Sequence, residues 1–335
     1  MKVSVIGGGT WGSTFALHLG RLNIPTKLWI REHNVYQETL KKRENETFLP
    51  GYIFPSLVSF YDDLNEAVSQ SNLVFIAVPS KFCRRIYQQL APSLSSDQAI
   101  ISLTKGIEEN SLKRMSEVME EVFIPSLSPP ITALSGPSFA LEVAQYHPTA
   151  VVLASRDLSL AKKIQHLISS ESFRVYVSED IIGVELGGAL KNVIAIAAGI
   201  LDALQYGNNS IAALVTRGLL EITRLGIKLG AQKETFSGLA GIGDLVLTCT
   251  GELSRNRYVG YQLGRGKSLS EIVSGMKMVA EGITTTFSAR QLAGREKVEM
   301  PICKQVYQVL YQNKNPKKAL KDLMSRRLKE EHYEY

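Results

Sequence analysis

The sequence predicts an α/β N-terminal domain built on a doubly wound parallel sheet, followed by an all-α C-terminal domain. Three observations carry this. Strand and helix patterns alternate through the first half of the chain, which implies parallel strands joined by crossover helices. A short apolar strand opens the chain and runs straight into a glycine-rich turn. After about residue 180 strand signals vanish and long apolar helix patterns take over. At 335 residues the chain can bury two cores, and the expected division is 1–180 and 181–335.

The first strand is Val3–Ile6. Gly7, Gly9 and Gly12 follow it, and residues Thr14 to Leu22 have helix character. Strand, turn and helix are the context in which G-x-G-x-x-G signifies a dinucleotide site. Gly7 permits the tight turn, Gly9 lets a pyrophosphate touch the backbone, and Gly12 lets helix and strand pack closely. The N–H groups of the helix start then face the phosphates. The domain is therefore expected to be Rossmann-like. Further strands are expected at Thr26–Ile30, Leu73–Val78, Ala99–Leu103, Ile131–Leu134, Ala150–Ala154 and Phe173–Val177. Helices are expected at Lys81–Leu90, Ser111–Val122 and Leu158–Ile168. Glu44 to Pro55 reads as a long irregular insertion with no chemical message. Such sheets bind ligands at the C-terminal ends of their strands. The loops after Ile6, Ile30, Val78, Leu103 and Leu134 are therefore the places to look. In the second half, helices fit Ile181–Leu204, Ile211–Leu229, Ser270–Ser274, Thr286–Ala293, Ile302–Tyr311 and Ala319–Lys329.

Composition narrows the function classes. The net charge of +6 is modest and scattered, which suits anionic small molecules. No basic and aromatic stripe supports nucleic-acid binding. Cys83, Cys249 and Cys303 are widely spaced and lack a CxxC. That argues against a disulfide framework and against a zinc site, and for a reducing, cytoplasmic compartment. The fold is expected to begin at residue 2, leaving no signal peptide. The apolar run Val193 to Leu201 is broken by Asp202 and reads as too short to span a bilayer.

Several residues can carry chemistry. Glu32 lies twenty residues after Gly12, where an acidic side chain often meets the adenosine ribose. Arg31 beside it would instead meet a 2′-phosphate, so NAD and NADP both stay open. Lys105 sits between a strand end and Gly106, which suits a positive charge aimed into the crevice. Gly136 and Ser138 follow the fifth strand of this list, and Ser138 suits an N-cap for a helix over Phe139–Ala144. Lys191 stands in the otherwise apolar and small-residue run around it, next to Asn192. Gly187, Gly188 and Ala195 share its helix face, leaving a bare strip of backbone that another body can approach. Two helical glycines cost roughly 1 kcal/mol each against Ala, so a packing or ligand reason must offset them. Asp244 falls early in a short helix after a glycine-rich loop. Ser254, Arg255, Asn256 and Arg257 gather a hydroxyl, guanidinium groups and an amide, which suits a phosphate. Val279 and Glu281 form a further loop candidate.

Taken in order, GGGTWG, VPS, TKGIE, SGPSFA, GVELGGALKNVIAIAAG, GLAGIGDLVLTCT, SRNR and VAEG resemble the NAD(P)-dependent glycerol-3-phosphate dehydrogenases of the bacterial type. The resemblance runs from about residue 2 to 325. It implies reversible reduction of dihydroxyacetone phosphate to sn-glycerol 3-phosphate, the backbone of glycerophospholipids, with NAD or NADP. It also implies a cytoplasmic homodimer without a metal, membrane insertion or nucleic acid. Residue by residue, it makes Lys191 the catalytic base and Lys105, Asp244 and Asn256 its companions at the substrate. Gly136 and Ser138 resemble the substrate loop, and Ser254, Arg255 and Asn256 the phosphate grip. Thr10, Trp11, Arg31, Lys105, Ala140, Arg255, Val279 and Glu281 resemble cofactor contacts beside Gly7, Gly9 and Gly12. Burial and nearby Lys105 and Arg255 would lower the Lys191 pKa, whereas Asp244 would favour its ammonium form. Two rival readings are a β-hydroxyacid dehydrogenase, which would take a carboxylate substrate, and a non-catalytic nucleotide sensor. SRNR argues against the first and Lys191 against the second.

Overall fold

The computed structural model describes every residue except 124–126, 277, 329 and 332–335. The chain divides into two compact units. The first comprises Met1–Lys105 and Lys113–Glu185, the second Gly106–Leu112 and Leu186–Tyr335. The parting thus falls five residues into the long helix expected to open the second domain, and a short earlier segment joins the helical unit. Lys329, the expected end of the last helix, lies outside the described residues, as do the last four residues of the expected second domain.

The first unit holds strands β1 (Val3–Ile6), β2 (Thr26–Trp29), β3 (Val58–Tyr61), β4 (Leu73–Ile76), β5 (Ala99–Ser102), β6 (Ile131–Ser135), β7 (Thr149–Ser155) and β8 (Phe173–Ser178). Helices α1 (Thr10–Arg21), α2 (His33–Lys42), α3 (Leu64–Val68), α4 (Ser80–Leu90), α5 (Met115–Phe123), α6 (Ala140–Ala144) and α7 (Leu158–Ile168) lie between them. The strands form one sheet in the order β3-β2-β1-β4-β5-β6-β7-β8. The reversal of direction beside β1 is the switch point of a doubly wound sheet, where ligands bind. Both faces are apolar because both are covered. Val3, Val5, Leu73, Phe75 and Ile101 enter one core. Ile6, Val74, Ile76 and Ile100 enter the other. Period-two alternation therefore sends neighbouring apolar residues to opposite faces.

The sheet is not wholly parallel, which corrects the expectation. β7 runs antiparallel to β6, with Ser135 opposite Val152. The connection carries only the five-residue α6 and returns along the neighbouring line from the same end of the sheet. β7 then pairs in parallel with β8 across α7. β3 is a strand that the sequence reading omitted. It pairs with β2 at the sheet edge, Trp29 opposite Tyr61.

The second unit carries helices α8 (Ile181–Ala203, whose first residues belong to the first unit), α9 (Gly207–Lys228), α10 (Lys233–Phe236), α11 (Asp244–Thr250), α12 (Arg255–Gly264), α13 (Leu269–Ser274), α14 (Glu281–Arg295), α15 (Pro301–Tyr311) and α16 (Pro316–Met324). A wide π turn, Leu239–Gly243, leads into α11. By length and composition α8 is apolar enough to cross a membrane, contrary to the reading of it as too short, and 89% of its apolar window is buried inside the protein. It is the core helix of this unit. Gly199 and Gly260 let α8 and α12 touch backbone to backbone: a Cβ on Gly199 would lie 1.9 Å from the Arg257 carbonyl oxygen, and one on Gly260 would lie 1.9 Å from that of Ile196. The three cysteines are buried and in no disulfide. Among the described residues no group of three or more His, Cys, Asp or Glu side chains converges on one point.

Candidate active site

On the sheet unit, the turn after β1 separates glycines required by the protein from one that is not. Gly7 has φ +125°, and a Cβ there would lie 2.7 Å from the Ala77 carbonyl oxygen. A Cβ on Gly12 would lie 1.9 Å from the Gly7 carbonyl oxygen. Both glycines are fixed by backbone packing. A Cβ on Gly9 meets nothing within 4 Å. Its missing side chain answers to no protein atom and leaves bare backbone at the start of α1, where no side chain caps the helix. Thr10 and Trp11 form the first turn, each half-buried. An open cradle at a helix start that no side chain caps fits a pyrophosphate.

Arg31 and Glu32 follow β2. They pair with one another at the surface, with side-chain exposures of 55% and 35%. Arg31 also lies over the Phe82 ring, 5.3 Å from its centroid. Arg31 lines a groove of about 530 Å³ with Trp29, Asp62 and Arg85. At the end of β5, Lys105 Nζ donates to the Gly136 carbonyl at 2.8 Å. Gly136 has φ +134°, and a Cβ there would lie 2.9 Å from the Val151 Cα. The loops after β5 and β6 are thus tied together. Ser138 does not cap α6. Its hydroxyl donates to the Gly136 carbonyl at 3.0 Å, and Phe139 occupies the cap position without a side-chain bond. Ala140 is the first residue of α6, half-buried.

On the helical unit, Lys191 is 6% exposed and Asp244 fully buried, and the two form an ion pair. The glycine strip explains how. A Cβ on Gly187 would lie 2.3 Å from the Ala240 carbonyl oxygen. The body that approaches the strip there is the protein's own π turn, which delivers Asp244 to Lys191. The next residue of α8, Asn192, begins a second clasp. Asn256 Nδ2 donates to Asn192 Oδ1 at 2.8 Å, and Gly282 N donates to Asn256 Oδ1 at 2.8 Å. Three helices, α8, α12 and α14, meet through this one carboxamide.

Ser254 is the N-cap of α12 and accepts from Arg257 N at 3.2 Å. Arg255 is exposed at the helix's first position. Glu281, the first residue of α14, lies within the field of the Arg255 guanidinium. Val279 is half-buried just before that helix. Arg257 is committed elsewhere, donating to Asp202 at 2.8 Å. Burial pushes the Cys249 thiol up to about 12, against the attraction of Lys191 and Arg257, so it stays a neutral packing group at ordinary pH.

Two descriptions match almost the whole chain. The N-terminus of NAD-dependent glycerol-3-phosphate dehydrogenase matches residues 2–161, and its C-terminus matches residues 180–321. The chain belongs to this dehydrogenase family. It is 51% identical over 327 residues to the glycerol-3-phosphate dehydrogenase [NAD(P)+] of Koribacter versatilis, covering 97% of both chains. A solved glycerol-3-phosphate dehydrogenase from Coxiella burnetii has 37% identity and a TM-score of 0.93, with 97% of this chain and 99% of that one covered. The solved yeast dehydrogenase has 28% identity and a TM-score of 0.83, covering 97% and 99%. Membership accounts for a glycine turn and a buried lysine in one polypeptide. Asn192, which joins this cluster through Asn256, was named by the sequence reading only as Lys191's neighbour. Its place directly after the lysine, in an apolar run, was the available signal.

Proposed function

We propose that this protein catalyses the NAD(P)H-dependent, reversible reduction of dihydroxyacetone phosphate to sn-glycerol 3-phosphate, as a cytoplasmic homodimer that supplies glycerophospholipid synthesis. The buried Lys191–Asp244 pair carries the reading. When bound, the dinucleotide supplies the hydride for the substrate's C2. The carbonyl oxygen then becomes an alkoxide, which needs a proton and a positive neighbour. Lys191 Nζ is the proposed source of both. Asp244 holds the ammonium in one direction, and the π turn holds Asp244. A buried Lys without a partner would be costly, which is why the charge is paired before any substrate arrives.

On the helical unit the proposed phosphate grip is Arg255 with Ser254 and the second Nδ2 hydrogen of Asn256. The remaining bonds of Asn256 are used within the protein, so its amide is held rigid for the task. On the sheet unit Lys105, Gly136 and Ser138 are the proposed substrate contacts. Gly7, Gly9, Thr10, Trp11, Gly12, Arg31, Lys105 and Ala140, with Arg255, Val279 and Glu281 on the other unit, are the proposed cofactor contacts. The test is oxidation of NADH and NADPH followed at 25 °C with dihydroxyacetone phosphate, plain dihydroxyacetone and a small keto acid. The phosphate ester is expected to be reduced far faster than the other two. Preference for the keto acid, or equal use of the unphosphorylated ketone, removes the assignment.

A further inference from the structure

The segment Glu44–Pro55 carries no motif, yet it reaches the cofactor turn. Arg43 adopts a left-handed conformation at the end of α2 (φ 55°). Its guanidinium donates to the Phe54 carbonyl at 3.2 Å and to the Val58 carbonyl at 2.7 Å. Leu49 and Phe54 enter the core, each 2% exposed. Glu44 bridges to Ile53. Between these anchors Asn45 is fully buried. Its Nδ2 donates to the Gly8 carbonyl at 2.8 Å and to Ser13 Oγ at 3.0 Å. Ser13 Oγ itself donates to the same Gly8 carbonyl at 3.1 Å. Asn45 Oδ1 accepts from Phe48 N at 3.1 Å, which fixes which end of the carboxamide faces the turn.

We propose that Asn45 is a positioning residue for the dinucleotide: it fixes the Gly8–Gly9 peptide so that the Gly9 N–H faces the pyrophosphate. In a planar trans peptide the C=O and N–H point in opposite directions. Holding the Gly8 carbonyl inward on Asn45 and Ser13 therefore turns the Gly9 N–H outward. A Cβ built on Gly9 would meet nothing within 4 Å, so the backbone at this peptide stands open to a ligand. Glycine on both sides of this peptide leaves it free to rotate in the absence of such a hold. The Asn45 amide thus replaces the restraint that the glycine-rich sequence gives up. The proposal rests on the reading of Gly7–Gly12 as the pyrophosphate site.

The test compares Asn45→Ala, Asn45→Asp, Ser13→Ala and Leu49→Ala in the full chain. Dissociation constants for NADH and NADPH are measured by fluorescence, together with Tm and the KM for dihydroxyacetone phosphate at saturating cofactor. Asn45→Ala should weaken both dinucleotides at least tenfold, while the substrate KM stays within twofold. Asn45→Asp, which keeps the shape but sets an oxygen against the Gly8 carbonyl, should weaken them at least as much. Ser13→Ala leaves the Asn45 bond and should cost two- to threefold. Leu49→Ala loosens the same segment without touching the amide, so it should lower Tm and leave dinucleotide affinity within twofold. Equal weakening by Leu49→Ala and Asn45→Ala would mean that the segment acts only through stability, and the proposal fails. Should Asn45→Ala not fold, Ser13→Ala with unchanged affinity and Asn45→Asp with wild-type affinity overturn it equally. If the wild type binds neither dinucleotide, the reading of the turn falls first.

Discussion

Lys191–Asp244 and Arg31–Glu32 are the same kind of interaction in opposite surroundings. The first pair has side-chain exposures of 7% and 1%, the second 55% and 35%. In water-poor surroundings each charge needs the other, and removing one leaves a buried charge behind at about 3–5 kcal/mol. At the surface the same bond is worth about 0–1 kcal/mol, because water and salt replace it. The buried pair therefore holds structure and, on the proposed reading, chemistry as well, whereas the exposed pair can be rearranged by whatever binds beside it. Mutating each pair separates these roles.

The largest effect is expected at Lys191. Replacing it by Ala should lower kcat by about 10²–10⁴-fold, the usual worth of a positioned acid–base group. Dinucleotide affinity should persist, because the glycine turn lies on the sheet unit. Tm should also fall, since Asp244 loses its ion pair. The companion variant Asp244→Asn distinguishes the roles: it removes the negative charge paired with the ammonium. Activity within tenfold of wild type in Lys191→Ala would remove the lysine from the chemistry.

Next comes Arg255, exposed at the first turn of α12. Arg255→Ala should raise the KM for dihydroxyacetone phosphate with little change in Tm. A charge-assisted contact is worth on the order of 1.5–3 kcal/mol, which is roughly 10- to 150-fold. A variant that loses kcat and keeps its KM would place Arg255 outside the ground-state grip.

These roles were legible in unequal degree. Gly7, Gly9 and Gly12 were readable because spacing and position in a strand–turn–helix unit are properties of sequence. Lys191 stood out because a charge in an apolar helix needs a reason. The reason for Gly187 was not readable, since the π turn that lies on it comes from more than fifty residues later. β3 escaped although Val58-Ser59-Phe60-Tyr61 alternates, because it is four residues long and follows an irregular segment. The direction of β7 is a tertiary choice that its own apolar pattern does not encode. Asn45 is the extreme case: an amide in a motif-free stretch, whose partner is a backbone carbonyl 37 residues away.

A second buried carboxylate extends the comparison to pH. Glu221, on α9, accepts from Ile302 N at 2.7 Å and Cys303 N at 3.2 Å at the start of α15. Burial raises its carboxyl from the ordinary 4.5 to about 8, against those bonds and against Arg224 and Arg326. A folded-state pKa above the unfolded value means that the folded chain keeps a proton the unfolded chain releases. Its contribution to stability is complete below about pH 4.5 and is lost as pH rises to about 8. Glu221→Gln should flatten the fall of Tm between pH 5 and pH 8. Parallel Tm profiles for variant and wild type would show that Glu221 does not titrate in that window.

The smallest effect is expected at Arg31. Its guanidinium faces Glu32, stacks near Phe82 and lines a groove shared with Arg85. A 2′-phosphate would draw Arg31 away from Glu32 at little cost, because that pair is exposed. Glu32 would in turn remain to accept the ribose hydroxyls of NADH. Both cofactors should therefore be used. Arg31→Ala should lower kcat/KM for NADPH more than for NADH. The contact to a charged group, discounted for exposure, is worth about 1 kcal/mol, or about fivefold. Tm should hardly move. Rising ionic strength should narrow the difference between cofactors in the wild type and leave the variant unchanged, since only the wild type retains the screened attraction. Equal losses for NADH and NADPH would mean that Arg31 does not read the 2′ position, and Arg85, across the same groove, would be the next cation to replace.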